Sequence, residues 1–551
     1  MCDALLTRRQ LLRYGALVAA TFPLAGGALA TRARAAGPAV PMNLELVTVT
    51  DTSAVITWFT GDPTTLDEFG RPAPVAAPGR VLIGTSPLAL EVVGAHEPTA
   101  YHHVEVTGLQ PGTTYFWRAE SGGLPALPTG ISNPGLKGLS VPLTAPPAFT
   151  TQVTPPGREL GRVAWLNDLH FGETVSGLIL GNDALPGGGL PPGFAVDPDD
   201  PYWRFMSQAA VEEARARGCT LLLANGDVTA EARPAEVTEA RAALDRFGAL
   251  GGVDHLSPGD ASRYFVTRGN HDRFHTGDTY ASCVGSDAKD CFGDAFAASY
   301  EPGSTHFSVT VGDDRARYRF VGLDSNDATE TGVLRQGELD YLAAQLDRGD
   351  MTIPLFHHPA SGTLNSLPPG GDLQRADAEA FRALLSGRDN VAGVYAGHTH
   401  RNSRTTAAET GTVPYFEGGA VKEYPGGYTV VRLFESGYLV NFYKSASPEA
   451  RAWSERSRGE YLGLYPYYVL GELADRNWGY DVDARVVTRP STTAPGAAPA
   501  GGSGSAPERT GTGGEQGVEG VLAATGGSGV AGAAALGLLG AAAWASQAAR
   551  A

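Results

Sequence analysis

Cysteine is scarce in this chain, four in 551 residues, and no two stand as a Cys-x-x-Cys pair. That spacing marks most thiolate zinc sites and redox dithiols, so neither is expected. Basic residues are also few: 42 Lys and Arg against 59 Asp and Glu leave a net charge of −17. Nucleic-acid backbones are held by stripes of cationic side chains that displace counterions, and no such binding is expected here. A small anionic substrate stays open, because a bound metal ion supplies its own local positive charge. Charged residues of either sign make up only 18% of the chain while 42% is apolar, which allows globular cores under a sparsely charged surface. The apolar run from Tyr14 to Ala30 is shorter than the ~20 residues that cross a bilayer as a helix.

What is present divides the chain. It is too long for one ordinary domain. Residues 1–36 read as an export signal: Thr7-Arg8-Arg9-Gln10-Leu11-Leu12, the apolar run, then Ala33-Arg34-Ala35 as an exit. The paired arginines resemble a twin-arginine signal, which implies the twin-arginine translocon as partner and export of an already folded protein. Residues 37–152 read as all-β, with short β-branched runs such as Leu44–Thr50, Ser53–Trp58, Val81–Gly84 and His103–Thr107 between turns. The stretch Leu109-Gln-Pro-Gly-Thr-Thr-Tyr115-Phe-Trp-Arg resembles fibronectin type III domains. That resemblance implies a sandwich with Tyr115 as its tyrosine corner and Trp58 in its core. His96, His102 and His103 in this part are expected at the surface or on an edge strand.

From about 158 to 445, strands alternate with helices. Strands are expected at 162–167, 220–224, 263–267, 317–323, 352–356 and 391–396, with helices near 334–346 and 373–385. Trp203, Met206, Ala210 and Ala214 mark one further helix, and Val237, Ala240, Leu244 and Phe247 another. The fold class is therefore α/β preceded by an all-β sandwich. Residues 428–443 read as a hairpin, and 446–487 as a less regular extension packed on this domain. Residues 488–551 combine a Gly/Pro/Ala/Ser/Thr-rich linker with Leu522-Ala-Ala-Thr525-Gly526 and an apolar tail. This end resembles a sortase sorting signal of the LAxTG form and implies a sortase partner and a wall- or membrane-associated, extracellular protein. Of the cysteines, Cys2 would leave with the signal and Cys219 reads as an inert buried thiol. Cys283 and Cys291 bracket a polar loop, where a disulfide is expected in an exported protein and two unpaired thiols are the alternative.

The chemistry is concentrated at strand ends. Asp168-Leu-His170, Gly226-Asp227, Gly269-Asn270-His271-Asp272, His357-His358-Pro359 and Gly397-His398-Thr-His400 close successive strands and contain six of the twelve histidines. Residues two apart, as in Asp168/His170 and His398/His400, would leave a strand on the same side. Mixed imidazole and carboxylate donors suit Fe, Mn, Zn or Co better than Ca or Mg. The order of motifs resembles the calcineurin-like metallophosphoesterase superfamily, whose pattern is DxH, GD, GNH[DE], H and GHxH. That resemblance implies a four-layer αββα domain. It also implies two divalent or trivalent transition-metal ions, one held by Asp168, His170, Asp227 and His400. The other would be held by Asp227, Asn270, His357 and His398, with Asp227 bridging. His271 would contact the phosphoryl group or protonate the leaving oxygen, and Asp272 would orient its imidazole.

The implied activity is hydrolysis of phosphate esters, mono- or diesters of a small phosphorylated substrate, by metal-activated hydroxide. The preceding β-domain is similar to that of purple acid phosphatases, but their first motif lacks the histidine present here as His170. Their iron-ligating tyrosine is replaced by Ala230. Substrate choice is assigned to the loops 172–200, 274–300 and 359–372, with His275 read as a surface residue. The competing class is a cell-surface binding protein whose metal domain is structural. A metal-dependent hydrolase of non-phosphate esters is a third.

Overall fold

The computed structural model describes residues 39–490, apart from 67–71, 129–144, 177–193, 274–293, 302–303, 327–331, 361–371 and 459–468. The expected export signal, the Cys283–Cys291 pair, His275, and the linker and sorting signal beyond 490 lie outside the described residues. No helix among the described residues is long and apolar enough to cross a membrane.

Two sheets form the N-terminal part. One contains Val40–Val49, Ser53–Leu66, Pro72–Pro74 and Tyr101–Thr107; the other contains Ala77–Ser86, Ala89–Thr99, Thr114–Ser121, Leu124–Pro125 and Ala148–Thr150. Ala54, Ile56 and Trp58 alternate inward and meet Val81, Ile83 and Trp117 from the facing sheet. The Tyr115 hydroxyl accepts the Gln110 backbone N–H at 3.0 Å, which makes the corner expected of it. Val47 and Val55 point the other way and join the core of the following domain, so this strand pair is buried on both faces.

That following domain is built on two larger sheets. In spatial order the first runs Ala249–Leu250, Arg263–Thr267, Leu221–Asn225, Glu159–Leu166, Gly427–Phe434, Gly437–Lys444, Asn477–Asp481, Val486–Thr488. The second runs His255–Leu256, Phe307–Gly312, Arg317–Gly322, Met351–Leu355, Val394–Ala396, Tyr415–Glu417, Ser403–Thr405. Alternation along the strands sorts the side chains into layers. Val163, Trp165, Leu221, Leu223 and Phe265 face Phe320, Ile353, Leu355 and Tyr395 across the gap between the sheets. Ala164, Leu166, Leu222 and Ala224 face outward onto the helices Tyr202–Ala216, Pro234–Leu244 and Pro448–Ser457. On the far side, Val321 and Val394 meet the helices Gln336–Leu346 and Arg375–Leu385. The result is helix, sheet, sheet, helix, each interior apolar. Fully burying one large side chain contributes about 1.5–3 kcal/mol, which makes the inter-sheet layer the rigid floor on which the strand ends rest.

Two differences from the sequence reading stand out. The segment 446–487 is more regular than expected: after the helix Pro448–Ser457, Asn477–Asp481 pairs with Gly437–Lys444 and extends the eight-stranded sheet. His102 lies on an edge strand as expected but is buried, its ring stacked on Trp58 at 4.3 Å and its Nε2 against Thr60 and Ser121. A buried imidazole stacked on an indole, with one nitrogen satisfied by hydroxyls, behaves as a core residue.

Candidate metal centre

Three parallel neighbours in the first sheet, Glu159–Leu166, Leu221–Asn225 and Arg263–Thr267, end side by side. Met351–Leu355 and Val394–Ala396, parallel neighbours in the second sheet, end against them. The sheets are stitched at this edge by Asn225, whose side-chain amide donates to Phe356 O at 3.1 Å while its carbonyl accepts from His357 Nδ1 at 3.0 Å. All five motifs follow these five strands, so residues scattered from 168 to 400 converge on one edge.

The close approach explains two motif glycines. A Cβ on Gly226, which has φ +86°, would stand 2.3 Å from the His357 ring, and one on Gly269 would stand 2.1 Å from the Asp227 backbone nitrogen. The ligand-type residues do not continue the strands. Asp168, His170, Asp227, His398 and His400 all have φ between 49° and 69°, five of the eight described non-glycine residues with positive φ. The expectation that strand alternation aims the paired residues is therefore corrected: tight left-handed turns aim them. Leu169 and His170 both donate their backbone N–H to Asp227 O, at 2.8 and 2.9 Å, which closes the first of those turns. Left-handed backbone at a non-glycine residue costs on the order of 1–3 kcal/mol, and it persists where the surroundings over-determine it.

Two groups of side chains result. In one, Asp168, His170 and His400 place donor atoms within 4.8 Å of one another, with His400 Nε2 at 3.4 Å from Asp168 Oδ1. In the other, Asp227, His357 and His398 do the same, with His357 Nε2 at 3.1 Å from Asp227 Oδ2. Asn270 Oδ1 joins the second group, 3.1 Å from His357 Nε2 and 2.9 Å from His398 Nδ1. Asp227 also groups with His170 and His271, its Oδ2 3.6 Å from His170 Nε2, so it stands between the two sets. Donors each about 2.1 Å from one cation lie about 3–3.5 Å from each other, and the distances here are of that size.

Electrostatics follow from burial and pairing. Burial opposes charge on His357 and His400. The neighbouring carboxylates outweigh it, raising His357 to about 9 through Asp227 and His400 to about 10 through Asp168 and Glu423. Burial likewise raises Asp227, but His357, His271 and His170 overcome this and hold it well below the usual carboxylate range. His170 is pushed well below the usual imidazole value by burial and then by Lys422 and His271. Both carboxylate oxygens of Asp168 and both ring nitrogens of His170 are buried without a hydrogen bond. Each such atom costs about 1–3 kcal/mol when left unsatisfied. The two Asp168 oxygens and one nitrogen of a neutral His170 are electron-pair donors on neighbouring side chains, and they fit a cation.

Asp272 is corrected. Its carboxylate accepts from Gly269 N at 2.9 Å, from Thr229 N and Oγ1 at 2.8 and 2.7 Å, and from Val228 N at 3.3 Å, and it does not bond His271. It ties the turn after Asp227 to the turn holding Asn270. Burial and then the Asp227 charge push it up to about 6. The His271 ring is oriented instead by Ala230 O, 3.1 Å from Nδ1. His358, the second of its pair, turns away toward Ser325 Oγ at 2.9 Å. Sequence reading missed Glu423, whose Oε1 accepts from His400 Nδ1 at 2.7 Å, and the Asn225 carbonyl behind His357. Neither lies in a motif, and no spacing pointed to them.

Two sheets face to face gather imidazole and carboxylate at one edge into groups that could hold metal ions. Residues 161–402 match the family model described as calcineurin-like phosphoesterase, and this part of the chain is a calcineurin-like phosphoesterase domain that acts on phosphate esters. No curated protein matches the chain. Solved structures similar to it include PhoD, at 12% identity over 83% of this chain and 92% of that one, with a TM-score of 0.37. A dimetal phosphatase from Danio rerio shares 12% identity over 53% and 98% of the two chains, TM-score 0.36. A purple acid phosphatase from yellow lupin seeds shares 14% over 74% and 73%, TM-score 0.34.

Proposed function

We propose that the chain is an exported dinuclear phosphoesterase in which Asp168, His170, Asp227 and His400 hold one transition-metal ion. Asp227, Asn270, His357 and His398 hold the other. The observation that carries this reading is the position of Asp227 between the two donor groups, within reach of His170 on one side and of His357 and His398 on the other. The mixed nitrogen and oxygen donors suit Fe, Mn, Zn or Co. When bound, such a pair of ions polarises phosphoryl oxygens, acidifies water and stabilises a departing alkoxide.

The chain's own residues supply the rest. Asp227 fixes the spacing of the donor groups, and Asn270 offers an oxygen without adding negative charge to repel a phosphate. His271, half-buried at the rim with Nδ1 anchored on Ala230 O, delivers a proton to the leaving oxygen. With alanine at 230, the metal-loaded protein lacks a tyrosinate–iron colour. The substrate is a small phosphate ester, mono- or diester, chosen by the loops 172–200, 274–300 and 359–372. The Arg8-Arg9 segment supports export through the twin-arginine translocon. Leu522-Ala-Ala-Thr525-Gly526 supports tethering at the cell surface by a sortase.

The test is turnover of bis-aryl and mono-aryl phosphates by the purified chain loaded with Mn or Zn, beside Asp227→Asn. Turnover of either ester that collapses in the variant supports the reading; equal turnover by the variant removes Asp227 from its bridging role.

A further inference from the structure

The carboxylate of Glu423 is fully buried, belongs to none of the five motifs, and sits directly behind His400. Its Oε1 accepts from His400 Nδ1 at 2.7 Å and its Oε2 accepts from Ser176 Oγ at 3.1 Å. The short segment that carries it is pinned on both sides. Val421 N donates to Asn167 O at 2.9 Å, Trp453 Nε1 to Lys422 O at 2.6 Å, and Tyr424 N to Ser457 Oγ at 2.9 Å. Lys422 Nζ lies 3.2 Å from Glu423 Oε2 but is held more closely by both oxygens of Glu173, at 2.6 and 2.8 Å, so the ion pair takes up Oε2 and leaves Oε1 to His400.

We propose that Glu423 is a positioning residue for the Asp168–His170–Asp227–His400 cation site. By accepting the proton on His400 Nδ1 it fixes the tautomer and ring plane that present Nε2, 3.4 Å from Asp168 Oδ1, to the ion. A carboxylate behind a ligating imidazole also makes the ring a stronger donor. The inference rests on the two-ion reading above.

Metal-free full chain is titrated with Zn²⁺ in competition with a chromophoric chelator. Wild type takes up two ions. Glu423→Ala weakens one of the two by about 10–100-fold, the usual cost of losing such a partner, and leaves the other unchanged. Glu423→Gln, which keeps an acceptor in place, recovers most of the loss. Circular dichroism checks folding, and Glu423→Leu, which preserves volume without an acceptor, substitutes for a truncation that does not fold. Two ions at wild-type affinity in a folded Ala or Leu variant overturn the proposal, as does equal weakening of both ions. A wild type that binds no metal instead overturns the two-ion reading on which it stands.

Discussion

Glu45 is the most instructive residue to perturb, because it bonds the sandwich to the catalytic domain through a buried charge. It lies on the strand Val40–Val49, 1% exposed, and accepts from Lys444 Nζ at 2.7 Å, Tyr424 OH at 2.6 Å and Arg458 across the seam. Burial disfavours its charge, yet Lys444 and Arg458 outweigh this and lower it to about 2 from 4.5. A depressed carboxylate contributes stability that is present above about pH 4.5 and lost as pH falls toward 2. The shift corresponds to about 3 kcal/mol at neutral pH. Lys444 is held below its ordinary value because burial outweighs its attraction to Glu45, so the pair as a whole is worth less than the carboxylate's shift alone. Removing only Glu45 leaves two buried cations, and Glu45→Gln should cost about 3–5 kcal/mol at pH 7. Denaturant unfolding followed by tryptophan fluorescence at pH 7, 5 and 3 measures this. The gap between wild type and variant should narrow by about 2 kcal/mol at pH 3. Equal stability at pH 7, or a gap that stays constant on acidification, refutes the reasoning.

Asp272→Asn should weaken metal retention, because its single amide oxygen can accept from the Gly269 backbone or from the Thr229 backbone but not from both, and it should leave the shape of the pH–rate profile unchanged; a displaced acid limb would show that Asp272 acts on His271 after all. His271→Gln should keep both ions by elemental analysis and lose about 10²–10⁴-fold in turnover, least with aryl leaving groups that need no proton. His357 and His400 are raised to about 9 and 10, so in metal-free protein their ion pairs contribute stability fully present below about pH 6.5 and lost as pH rises through those values. Thermal unfolding from pH 7 to 10.5 in chelator should therefore fall steeply, and far less so with metal bound.

The metal-type residues were legible because their side-chain chemistry is rare at strand ends and repeats five times in order. The strands were legible where a short continuous apolar run ends at a polar turn, as in Leu221–Asn225. The left-handed turns at Asp168 and His400 were not, since Asp and His adopt such backbone more readily than most non-glycine residues but still in only a small minority of cases, and here the converging loops impose it. Glu423 was invisible because its meaning depends on His400, 23 positions earlier, and on no spacing of its own. Asp272 misled for the opposite reason: adjacency to His271 in sequence suggested a partnership, but the turn points its carboxylate back toward Thr229. The strand Asn477–Asp481 was read as irregular because Trp478 and Tyr480 face the core from a stretch with little alternation around it.

The most direct measurement is anomalous X-ray scattering at the metal edge from crystals of the metal-loaded protein. Two peaks about 3.5–4 Å apart are expected, with Asp227 touching both and His400 touching only one. A single ion, or two ions without Asp227 between them, would contradict it.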